Sequence, residues 1–118
     1  MSNSTRLTSD EIKEYRKQFR YYPEQLDVLD IIEECAGNLQ DAVILMAIRD
    51  KGKEPDRGLD LDELADKYRP SICANSTKKL IDIVSILTGL LGSVGVALAL
   101  LLYVFKEYGL NSFCEESN

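Results

Sequence analysis

The chain contains no histidine and no tryptophan among its 118 residues. Without histidine there is no His-based catalytic triad, no His-ligated zinc and no imidazole pH switch. Cysteine is scarce: Cys35, Cys73 and Cys114 are odd in number, far apart, and form no CxxC pair. That excludes a zinc knuckle or thioredoxin-type motif and argues against a disulfide framework. Basic residues are in deficit, 14 Lys and Arg against 20 Asp and Glu. The resulting net charge of −6 is the wrong sign for a general nucleic-acid binder, which needs cations to displace the counterions of phosphates. A phosphate-cradling glycine loop, a nucleophile–base pair, an internal repeat and β-type alternation are all missing. The polar start Met1-Ser2-Asn3-Ser4 has no apolar stretch for a cleavable signal, and its Ser2 excludes myristoylation. These absences predict a protein that is not an enzyme and holds no cofactor and no metal.

What is there is helical periodicity. Residues 1–8 are polar and expected to fray. Thr8 stands three residues before Glu11, the spacing of a capping box, and Ile12, Tyr15, Phe19 and Tyr22 then form one stripe. Pro23 suits the first turn of a second helix, striped by Leu26, Leu29, Ile32 and Ala36. Gly37 fits the end of that helix, and Asn38 the N-cap of a third that is lined by Leu39, Ala42, Val43, Met46 and Ala47. A charged, broken loop over residues 51–58 leads to a fourth helix begun by Asp60 and limited by Pro70. Asp56, Asp60, Asp62, Glu63 and Asp66 cluster there, without the alternation or central glycine of a calcium loop, and read as an acidic helix start.

The longest feature is an apolar run. Ile83 to Phe105 is 23 residues without a charge, and 14 of them are Leu, Ile, Val or Phe. One helix of that length would measure roughly 34 Å, enough for a hydrocarbon core of about 30 Å. The alternative is a buried element or a hairpin turning at Gly92 to Gly95, whose two arms must each be covered by a bundle of about 60 residues, near the lower limit for independent folding. The expectation is a transmembrane span. Lys67, Arg69, Lys78 and Lys79 precede it and only Lys106 follows closely, so the positive-inside rule keeps the bundle cytoplasmic and sends the tail across. Ser85, Gly89, Ser93 and Ala97 recur every fourth residue and would form a packing face for a second span, hence a homo-oligomer. Cys73, just ahead of the run, is placed for S-acylation, Cys114 for an intermolecular disulfide, and Cys35 for the core.

The fold expected is therefore all-α. A flexible start over 1–8 is followed by a bundle of about four short helices over 9–69 and a linker over 70–79. One long apolar helix over 80–105, expected to span a membrane from its length and lack of charge, leads to a polar tail over 106–118.

Residues 9–50 also resemble the UBA/CUE class of three-helix domains. The resemblance rests on Phe19-Arg20-Tyr21-Tyr22-Pro23 and on Gly37-Asn38-Leu39-Gln40-Asp41-Ala42-Val43. It departs from the class in lacking a clean Met-Phe-Pro or Met-Gly-Phe loop, and in placing Leu45-Met46 where paired leucines stand. It implies a three-helix fold, a partner-binding face at Phe19, Tyr22, Pro23, Leu45 and Met46, and a ubiquitin-like fold as the ligand class. Taken together, the sequence predicts a single-pass, membrane-anchored interaction protein that acts as adaptor, assembly factor or regulatory subunit. Its predicted partners are an unidentified protein and membrane lipid, with no nucleic acid. The alternatives are an oligomerising pore or effector, and a soluble helical domain with a buried apolar helix.

Overall fold

A computed structural model describes residues 5–51 and 60–115, excluding the side chains at 50 and 51. Seven helices occur among the described residues: α1 (Ser9–Gln18), α2 (Pro23–Glu34), α3 (Leu39–Lys51), α4 (Leu61–Ala74), α5 (Leu80–Leu91), α6 (Val94–Glu107) and α7 (Leu110–Glu115). The predicted plan of four helices plus one long apolar helix is thereby corrected. The predicted loop 51–58, apart from the helical backbone of residue 51, lies outside the described residues.

The apolar run is not one helix. Gly92 ends α5 in the left-handed region at φ 75°, with its N–H donating to the Thr88 carbonyl. A residue with a Cβ resists that conformation, so the glycine selects this stop. Ser93 then caps α6 by accepting from the Val96 N–H at 3.2 Å. At 1.5 Å per residue, the 12 residues of α5 and 14 of α6 extend about 18 and 21 Å, short of a bilayer core of about 30 Å. No helix among the described residues is long and apolar enough to cross a membrane. The single-pass topology is overturned, and with it the cytoplasmic bundle and the tail on the opposite side.

What covers the run instead is protein. Every residue from Gly95 to Val104 is buried, and α6 packs against α2, α3, α4, α5 and α7. A helix that is apolar all round has no polar face to give to water, so it becomes the axis of the core. The amphipathic helices supply the wrapping through Leu29 and Ile32 of α2, Leu39 and Val43 of α3, and Leu61 and Ile72 of α4, each fully buried.

The ends are tied in. The Thr8–Glu11 capping box is present, with Thr8 N–H donating to Glu11 and Glu11 N–H to Thr8 Oγ1. Residues 5–8, expected to fray, pair with the α2–α3 turn: Leu7 N–H donates to the Gly37 carbonyl, Leu39 N–H to that of Thr5, and the Leu7 side chain is buried. Gly37 has φ 85°, and a Cβ there would collide with the Leu7 carbonyl oxygen. Asn38 caps α3 by accepting from Asp41 N–H at 2.8 Å. Gln40, buried on α3, accepts from Leu61 N–H at 2.9 Å and so fixes the start of α4.

Two further findings differ from the sequence reading. Helix α4 runs through Pro70 to Ala74. The lost N–H removes one helical bond, while the fully buried Ile72 anchors the last turn. Cys73, in that same turn, is bonded to Cys114 of α7. Both sulfurs are thus occupied, which replaces the S-acylation site and the intermolecular disulfide. The predicted polar tail folds back as α7, with Phe113 fully buried and the Arg69 guanidinium 4.4 Å from its ring centre.

Candidate partner-binding groove at the α5–α6 elbow

The break at Gly92 creates a concave surface. Where α5 turns into α6, the elbow faces α2 from Glu24 to Ile31 and the last turns of α3, leaving a groove of about 520 Å³. Its apolar lining comes from Val28 and Ile31 of α2, Met46 of α3 and Val94 of α6. Val28, Ile31 and Met46 fall there because α2 and α3 turn apolar stripes toward α6, and these reach its first turn, where Val94 stands. Val28 and Met46 are buried, and Ile31 and Val94 half-buried. Gly95 forms part of the wall, and a Cβ there would collide with the Met46 sulfur, so a side chain at 95 would displace Met46.

The polar rim is asymmetric. Glu24 and Asp27 line the α2 side, and Arg49 the α3 side. Arg49 already pairs with Glu34 at 3.1 Å. Further along α2, Asp30 and Glu33 are both held by Arg16 of α1, at 2.6 and 2.8 Å. Those two carboxylates keep the Arg16 guanidinium pKa above its ordinary value, the Asp30 hydrogen bond contributing most. Cys35, near the same pair of helices, has its thiol pKa pushed up, first by burial and then by the charges of Asp41 and Glu34. A thiol so protonated is a poor nucleophile.

The residues singled out in the sequence are distributed unevenly. Of the face implied by the UBA/CUE resemblance, Met46 lines the groove, Phe19 is 1% exposed within the core, and Leu45 is half-buried. Tyr22 and Pro23 are exposed at the start of α2, just ahead of Glu24. Of the small-residue face, Ser85 and Gly89 are exposed on α5, Ser93 is the α6 cap and Ala97 is fully buried. The elbow divides them between two helices. In the acidic cluster, Asp60 caps α4, Asp62 accepts from the hydroxyls of Tyr103 and Tyr108, and Asp66 pairs with Arg69 at 3.7 Å. Asp56 lies outside the described residues. Among the described residues no three metal-ligating side chains converge.

Sequence reasoning missed Glu24, Asp27, Val28, Ile31, Arg49 and Val94 as a set. They belong to three helices, and the one local hint was the glycine pair Gly92 and Gly95. No known protein family, curated protein or solved structure matches the chain.

Proposed function

We propose that the protein is a small helical interaction module that holds a protein partner in the groove at the α5–α6 elbow. The observation that carries this reading is the groove itself, about 520 Å³, with Ile31 and Val94 partly open to solvent over the buried Val28 and Met46. Apolar side chains left accessible in a concavity gain free energy when a complementary side chain displaces their water. The role is that of an adaptor, assembly factor or regulatory subunit, with the wrapped α6 as a rigid base and the elbow as the docking face.

The test is site-specific crosslinking in cells that make the protein. A photoreactive residue replaces Ile31 in the groove, or Glu63 on the exposed side of α4. The expected result is a discrete protein adduct from position 31 that position 63 does not give. Identical adducts from both positions, or none from position 31, would overturn the reading.

A further inference from the structure

Building on the reading of the elbow groove as a partner site, we infer that its occupant is a cationic amphipathic helix. Such a helix would lay an apolar stripe over Val28, Ile31, Met46 and Val94 and bring Lys or Arg to Glu24 and Asp27. The argument starts with α2, whose carboxylates divide into two groups. Asp30 and Glu33 are neutralised by Arg16, and Glu34 by Arg49. Glu24 and Asp27 are exposed and have no ion pair or side-chain hydrogen bond among the described residues. These two are the ones that line the groove. Three residues apart, they stand on one helix face, about 5–6 Å from each other.

The opposite rim does not offset them. Among the described residues of the lining Arg49 is the one basic side chain, and its charge is shared with Glu34. The charges of the described lining, Glu24 and Asp27 against Arg49, therefore sum to a negative value, and the net charge of −6 adds a longer-range attraction for cations. The secondary structure of the occupant follows from what surrounds the groove. No strand edge is present among the described residues for an extended peptide to join, whereas helix ends and an elbow fit the side of a helix. Gly92 is exposed with open space around its Cβ position, so a partner backbone can approach closely there.

The experiment uses the full chain and two synthetic peptides of about 14 residues, roughly four helical turns. Both carry one leucine stripe; the polar face is lysine in the first and glutamate in the second. Binding is measured by calorimetry, and the contact surface by amide chemical-shift changes. The Leu/Lys peptide is expected to bind and to shift Val28, Ile31, Met46 and residues 92–95. The double variant Glu24→Gln/Asp27→Asn should weaken it about 3- to 10-fold. The double variant Glu63→Gln/Asp82→Asn removes the same charge from exposed positions outside the lining, and should leave affinity within about twofold. Equal weakening by both double variants would reduce the attraction to net charge and overturn the inference. Equal binding of the Leu/Glu peptide in the groove would overturn it as well, while leaving the interaction module standing. If neither peptide shifts the groove residues, the docking role of the elbow and the inference built on it fall together.

Discussion

Helices α5 and α6 take most of their residues from one uncharged run and meet different surroundings. In α6 ten consecutive residues, Gly95 to Val104, are buried. In α5 only Ile83, Val84 and Leu87 are, and Leu90 is 51% exposed. Hydropathy is therefore not what separates the two. Helix α6 lies on the axis and is contacted by five helices, whereas α5 lies on the outside against α6 and α4. An apolar stretch states a need to leave water, and the fold decides whether lipid or protein meets it. The same contrast explains the groove, which opens where full wrapping gives way to one-sided cover.

The sharpest way to break this comparison is to cut one leucine from each helix. Leu100 is fully buried, so Leu100→Ala loses its transfer free energy and leaves a cavity, at a cost of about 2–5 kcal/mol. Leu90→Ala, on the exposed side of α5, should change stability by no more than about 0.5 kcal/mol. Urea unfolding of both variants checks this, and similar losses would mean that α5 is covered as fully as α6.

The disulfide acts on the α6 side of the comparison, because it closes α4 and α7 around that helix. The two cysteines are 41 residues apart. Loop-closure entropy for such a separation corresponds to about 4 kcal/mol, with measured effects more often about 2–4 kcal/mol. Cys73→Ser/Cys114→Ser should lower the unfolding midpoint accordingly, and the wild-type chain treated with reductant should fall to the same value. A midpoint indifferent to reductant would show that α7 docks through Phe113 alone.

Two glycines sharpen the comparison further, since they separate the elbow from an unbroken helix. Gly92 holds φ 75°, so Gly92→Ala forces a side chain into the left-handed region and should cost about 1–2 kcal/mol. Gly89 is helical with nothing near its Cβ position, so Gly89→Ala should stabilise by about 0.5–1 kcal/mol. In one continuous helix both substitutions would stabilise. Thermal melts of the pair therefore decide between an elbow and a straight rod.

How much of this was legible follows the range of the interactions. The Thr8–Glu11 box and the Asn38 cap of α3 are set by residues within four positions of one another, and the sequence displays them directly. Gly92 was visible as a place where a hairpin could turn, but a glycine in an apolar run is equally compatible with a straight helix. What tips it is the burial available on both sides, and that comes from α2, α3 and α4. The Cys73–Cys114 bond and the groove are longer-range still. Glu24, Met46 and Val94 become neighbours only after the chain has closed around α6. Phe19 shows the converse: its aromatic side chain looked available for a partner, and the core of α1 and α2 consumed it.

The smallest expected difference lies at the far ends of the two helices. Lys106, in the last turn of α6, donates to both carboxylate oxygens of Glu11 at 2.9 and 3.1 Å, tying α6 to the start of α1. No basic residue stands in the last turn of α5. The Glu11 carboxyl is held below its ordinary 4.5, first by the Thr8 backbone N–H and then by Lys106. A carboxyl lowered in this way favours the folded state while ionised. Its contribution is complete above 4.5 and fades as pH falls through the lower folded value. Glu11→Gln keeps an acceptor for Thr8 but removes the charge facing Lys106, and an exposed pair of this kind is worth about 0.2–1 kcal/mol. The wild type should therefore melt slightly higher than the variant at neutral pH, and the gap should narrow as the pH drops below 4.5. A gap that stays constant into that acid range would mean that Lys106 leaves the carboxylate to water and that α6, like α5, ends without an anchor.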